Sequence, residues 1–99
     1  MGGELSVIQD FTIYHKSNDT YKRTIIYKWG GNLLAEDGKI VYVRNENVPG
    51  KIISWSGVGN VSIVKKTSED NQITIHMLSC VPGGKGKIEI TYKLCSTFH

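Results

Sequence analysis

The 99 residues make one domain, spanning 1–99, with room for a single modest core. Hydrophobic residues at 39% and charged residues at 21% exclude a disordered composition, and no stretch nears the roughly 20 apolar residues of a membrane helix, so no membrane insertion is expected. The formal charge is only +3 and the twelve basic residues are scattered along the chain, which argues against nucleic acid as the partner.

The chain opens on "MGGELS", with neither the basic start nor the apolar segment of a secretory signal, so the protein is expected to work where it is made, to leave by another route, or to be part of a larger chain at the cell surface. Residues 1–4 are expected to form a flexible Gly-rich arm. The first strand signal, "LSVIQDFTIYH", puts Leu5, Val7, Phe11 and Ile13 on one face, with Gln9 interrupting. "YKRTIIYKW" follows, aromatic and β-branched. Residues 31–37, within "GGNLLAEDG", are the one place where a short helical turn is expected. The pair Asp37-Gly38 then turns the chain into "KIVYVRN", and Pro49-Gly50 turns it into "KIISWS". "NVSIVKK" comes after Gly57-Val58-Gly59, "QITIHML" after the polar run Thr67 to Asn71, and "KGKIEITYKL" after Pro82-Gly83-Gly84. Residues 95–99 remain as a tail.

Seven short runs at roughly 8–12-residue spacing, with turn chemistry between them, predict an all-β fold: a seven-stranded immunoglobulin-like sandwich. The last two runs read most cleanly. Ile73, Ile75 and Met77 alternate with polar residues, as do Ile88, Ile90, Tyr92 and Leu94, so each run has one packed face and one wet face. Their adjacency predicts an antiparallel hairpin. The expected core is Trp55 with Ile75, Ile88, Ile90 and Tyr92.

Gly57-Val58-Gly59 has the first two glycines of a dinucleotide fingerprint and nothing else of it. No third glycine follows at the required place, the next run is a strand, and there is no Gly-Lys-Ser/Thr. A tight sandwich corner is the expected reading. Around that corner, "IISWSGVGNVSIV", then "NQITIHM", then "PGGKGKIEITY" resemble bacterial and phage immunoglobulin-like domains, over residues 50 to 94. The antibody subgroup is disfavoured, because both cysteines, Cys80 and Cys95, follow Trp55 instead of flanking it.

No two of His15, His76 and His99 stand at metal-ligand spacing, and neither cysteine completes a site, so no metal or other cofactor is expected. In the predicted hairpin the two cysteines lie too far apart to bond, and free thiols are expected. No nucleophile elbow or carboxylate pair stands out, so the chain is not expected to be an enzyme. Binding is the expected work. Trp29 ends a strand at a loop mouth, Tyr27 and Tyr42 interleave with basic residues, and Lys85 and Lys87 make the nearest thing to a basic patch, beside Lys65-Lys66. The resemblance implies a protein partner: a phage capsid or tail that this domain decorates, displayed on the virion surface after assembly in the host cytoplasm, with weak carbohydrate adhesion as an added role. The alternatives are a spacer or adhesin module of a bacterial surface protein and, third, a nucleic-acid-binding barrel.

Overall fold

The computed structural model describes residues 4–30, 36–64, 70–81 and 83–94. The expected N-terminal arm falls almost wholly outside them. So do most of the expected helical turn, Lys65-Lys66, and the tail with Cys95 and His99; Glu36 is irregular and Asp37-Gly38 form a turn.

The described residues form seven strands and no helix. They are β1 (Ser6–His15), β2 (Thr20–Gly30), β3 (Ile40–Asn47), β4 (Gly50–Gly59), β5 (Val61–Val64), β6 (Gln72–Leu78) and β7 (Gly83–Leu94). The strands make two antiparallel sheets, a four-stranded one in the order β1-β2-β7-β4 and a three-stranded one in the order β3-β6-β5. The all-β sandwich is therefore present, with its own strand order. A constant-type immunoglobulin sheet places the fifth strand between the second and fourth, and the seventh beside the sixth. Here β7 and β5 have exchanged those places.

Two corners account for the exchange. Gly59 has a φ of 99°, in the region that favours glycine, and the chain bends there out of the four-stranded sheet. Asn60 pins the bend to both sheets. Its N–H donates to the Lys85 carbonyl at 3.0 Å, its Oδ1 accepts from the Lys85 N–H at 3.2 Å, and its carbonyl accepts from the Leu78 N–H at 2.8 Å. Gly57-Val58-Gly59 is thus the end of a strand running into a sandwich corner, as its context predicts. β5 then hairpins onto β6 within the three-stranded sheet. The second corner overturns an expectation: β6 and β7 do not form a hairpin, because β6 pairs with β3 and β5 while β7 pairs with β2 and β4. The alternation of the two runs told correctly which residues face inward, but both sheets offer such a face, and alternation cannot choose between them. Cys80 lies in this crossing and forms no disulfide among the described residues.

The core lies between the sheets. Ile25, Tyr27, Trp29, Ile88, Ile90 and Tyr92 come from β2 and β7, and Ile73, Ile75 and Met77 from β6. The expected core residues Ile75, Ile88, Ile90 and Tyr92 are all buried. Trp55 is not: it is 40% exposed, whereas Trp29, expected at a binding surface, is 1% exposed. The reason is geometric. Trp55 pairs with Ile90, so it points to the inner side of the sheet, but β4 is an edge strand. Facing β4 is the four-residue β5, whose Val61 and Ile63 lie over Gly57. Trp29 instead sits on β2 opposite Gly84, and a Cβ at Gly84 would land on its indole ring. Its Nε1 donates to the Leu78 carbonyl, 3.0 Å away on the other sheet.

The two tryptophans should therefore separate sharply in stability. Trp29→Ala is expected to cost about 3–5 kcal/mol, and Trp55→Ala below about 1 kcal/mol. Gly84→Ala should cost about 1–3 kcal/mol, because backbone and indole would compete for one volume. Urea unfolding followed by circular dichroism measures all three, and equal losses for Trp29→Ala and Trp55→Ala would contradict this packing.

Candidate docking surfaces

Of the residues that the sequence marks for binding, Tyr27 and Trp29 are in the core and offer no surface. Both occupy alternate positions of β2 that face the other sheet, where large aromatic area is worth most. Tyr42 is half-buried on β3. Lys85 and Lys87 are exposed, on the outer side of β7. The structure thus divides the five: the aromatics pack and the lysines are accessible.

Tyr27 belongs to a polar cluster along one margin of the sandwich. Arg23 grips Asp10 through two bonds, Nε to Oδ1 at 2.9 Å and Nη2 to Oδ2 at 2.8 Å. Its Nη1 donates to the Asn47 carbonyl at 3.1 Å and lies 3.4 Å from Glu46 Oε1. Arg44 Nε is 3.3 Å from Glu46 Oε2, and the Tyr27 hydroxyl donates to the same oxygen at 2.5 Å. Arg44 also lies over the Tyr27 ring, 5.7 Å from its centre. Two guanidinium groups and two carboxylates balance here, and the cluster ties β1 and β2 to β3 across the gap between the sheets. With every charge answered, its chemistry is cohesion.

Three other surfaces are unanswered. The first is β1, all ten of whose residues are exposed. Its edge carries Val7, Ile8, Phe11, Ile13 and Tyr14, each between 43% and 51% exposed. An irregularity between Val7 and Gln9 breaks the alternation, so Val7 follows the inner side while Phe11 and Ile13 point outward. The second is the β4 margin, where Ile53, Trp55 and Val58 are exposed. The third is the outer face of the four-stranded sheet. The register sets Lys28 opposite Lys85 and Lys51 opposite Lys93, with Lys22 and Lys87 between them. Glu89 lies on that face, 3.4 Å from Lys22 and 3.7 Å from Lys87, and Glu4 lines a cavity with Lys28 and Lys85.

Sequence reasoning missed Trp55, β1 and Lys28. Alternation would have placed Lys28 beside Lys85 had the pairing of β2 with β7 been known. Nothing in the order of residues announces that pairing. Among the described residues no three His, Cys, Asp or Glu side chains gather in a metal-binding group.

The margin cluster has a pH signature. The hydrogen bond from Arg23 holds the Asp10 carboxyl below its ordinary value of 3.8. A group whose folded pKa is depressed stabilises the fold fully above its unfolded value, and loses that contribution as pH falls through the folded one. Burial, and next the bond to Glu46, push the Tyr27 hydroxyl well above its ordinary 10.0. Its share of stability is complete below pH 10.0 and declines above it, where the unfolded chain ionises first. Thermal melts from neutral pH downward should show the wild type losing more stability than Asp10→Asn once the pH passes below 3.8. Parallel curves for the two proteins would remove Asp10 from the account.

No family model matches this chain, and no curated protein or solved structure matches it either.

Proposed function

We propose that this is a non-catalytic docking domain that joins a larger assembly through β1, as an accessory protein on a phage capsid or tail does. The supporting observation is that β1 is an undefended edge. Natural sheets protect long edges with lysine, proline, bulges or covering segments. "SVIQDFTIYH" contains no lysine and no proline, and its one charge, Asp10, is held by Arg23. Its irregularity lies near one end, between Val7 and Gln9, which leaves the stretch from Gln9 to His15 regular. Of the other edge strands, β3 carries Arg44 and Glu46, β4 carries Lys51, and β5 has no charge but is only four residues long. A strand that exposes backbone groups and five large apolar side chains is suited to pairing with a strand of another protein, which supplies hydrogen bonds and pockets together.

The phage setting comes from the resemblance over residues 50 to 94. A second reading, an adhesin module, has one observation in its favour: Trp55 offers a half-open aromatic surface at the β4 margin, where a sugar ring can stack.

Cosedimentation with purified virus particles and with purified cell walls from the source organism tests both. Docking through β1 predicts saturable binding to particles that Val7→Lys together with Ile13→Lys abolishes, while the melting temperature stays within a few degrees of wild type. Binding to cell walls alone, lost in Trp55→Ala and kept in the β1 variant, would replace this reading with the adhesin.

A further inference from the structure

The outer face of the four-stranded sheet carries charge that the fold does not neutralise. Lys22, Lys28, Lys51, Lys85, Lys87 and Lys93 all point from it, against Glu89 on β7 and Glu4, which lines a cavity with Lys28 and Lys85 at one end. Glu89 bridges Lys22 and Lys87, which leaves Lys28, Lys85, Lys51 and Lys93 without a carboxylate partner among the described residues. Like charges set directly opposite on neighbouring strands destabilise a sheet. Here this happens twice, at Lys28 with Lys85 and at Lys51 with Lys93. An anion over such a pair removes the repulsion.

The face is not only charged. Between Ile26, Val58 and Gly59 lies an open hollow of about 290 Å³ flanked by Lys85 and Lys87. Phe11, 43% exposed, stands on the same side of the sheet, opposite Thr24. A flat platform with apolar and aromatic side chains among cations fits a polymer that alternates flat apolar rings with anions. A duplex hides its bases and presents mainly phosphate to such a flat surface. A sulfated sugar chain would use the lysines but not the hollow. We propose that a single-stranded polynucleotide binds this face, with phosphates on Lys28, Lys85 and Lys87, one base in the hollow between Ile26 and Val58, and another stacked on Phe11. The proposal does not rest on docking through β1: its lysines and its hollow lie on the face of the sheet, and Phe11 is the residue that the two readings share.

The test is fluorescence anisotropy of the full chain with a labelled oligothymidylate of about 20 nucleotides, long enough to cross a site of this kind. A duplex of equal length, a sulfated polysaccharide and anionic lipid vesicles serve as competitors. Three phosphate contacts predict a slope of log affinity against log salt of about −2, at roughly 0.7 per contact for a single strand. Lys28→Gln with Lys85→Gln should weaken binding by about tenfold or more and flatten that slope by about 1.4. Phe11→Ala should weaken it about fivefold or more and leave the slope unchanged, since it removes stacking and no charge. The Val7→Lys, Ile13→Lys variant should bind the oligonucleotide at least as tightly as wild type, since Ile13 lies opposite Lys22 on the same face and the change adds a cation there, so that loss of docking and loss of this site can be told apart. No binding at low salt would overturn the proposal. So would competitors that displace the oligonucleotide as well as unlabelled strand does, with Phe11→Ala indifferent, because the face would then recognise charge alone. The competitor ranking is read on the wild type, so a variant that fails to fold cannot hide the answer.

Discussion

A side chain that is missing at Gly84 decides how this sandwich closes. The indole of Trp29 occupies the space that a Cβ there would need, and its Nε1 reaches the Leu78 carbonyl on the opposite sheet. Gly86, two residues on, makes the same concession to Val61 of β5. Opposed large residues would hold the sheets apart at this end, since packed interiors leave no slack for extra methyl groups. With the glycines in place, β7 lies close enough to the β4–β5 corner for Asn60 to bond both Lys85 and Leu78. The strand order follows from that corner. A chain bent out of the sheet at Gly59 cannot also place β5 beside β4, and the vacated position next to β4 and β2 goes to β7.

Four strands facing three leave a surplus, and the exposed apolar surface is that surplus. The central strands β2, β7 and β6 supply most of the core, while β1 and the far part of β4 extend past what the smaller sheet covers. On the inner side of β1, Val7 and Tyr14 stand at the ends, but Asp10 and Thr12 in the middle are polar, and Asp10 meets Arg23 and not a hydrophobic neighbour. The sandwich therefore ends at a charged margin there, and what β1 exposes does not belong to the core of this domain. Trp55 is the mirror case. It has the right face and the wrong strand.

How much of this could be read from residue order depends on the range of the interaction. Short-range physics was legible. The period-two alternation of Gln72–Leu78 and of Lys87–Leu94 named Ile73, Ile75, Met77, Ile88, Ile90 and Tyr92 as inward, and all are buried; Leu94, at the end of β7, is exposed. Asp37-Gly38 and Pro49-Gly50 located breaks between strands, whereas Gly83 and Gly84, expected in a turn, are the first residues of β7; the failure of Gly57-Val58-Gly59 to meet the phosphate-loop context located a corner. Long-range physics was not legible. Whether Ile88 faces Ile25 or Ile75 across a hydrogen-bonded ladder depends on which strands pair, and any alternating strand satisfies either sheet. The exchange of the two tryptophans has the same origin. Trp29 and Trp55 both sit in apolar runs, and only the strand order makes one central and the other marginal. The surfaces suffer most, because a surface is what remains after the pairing is settled.

Charge shows the same dependence. Along the chain, +3 over 99 residues with scattered lysines is too little to point to nucleic acid. Folding sorts it. At the inner margin, Arg23 and Arg44 are spent on Asp10 and Glu46, so those four charges cancel at short range. Asp19, Glu36, Asp37 and Asp70 lie in loops at the ends of the strands. The outer face of the large sheet is left with six lysines against Glu89 and the nearby Glu4, an excess still larger than the net charge of the whole molecule. Among the described residues the charge is therefore lopsided, and the positive field is strongest over that face, fading within roughly 10 Å in physiological salt. The β1 edge runs along the border of this face, so a strand added to β1 would widen the sheet without covering Lys28, Lys85 or Lys87. A partner held at the edge would leave the lysines and the hollow open beside it, with Phe11 as the residue that edge and face would share.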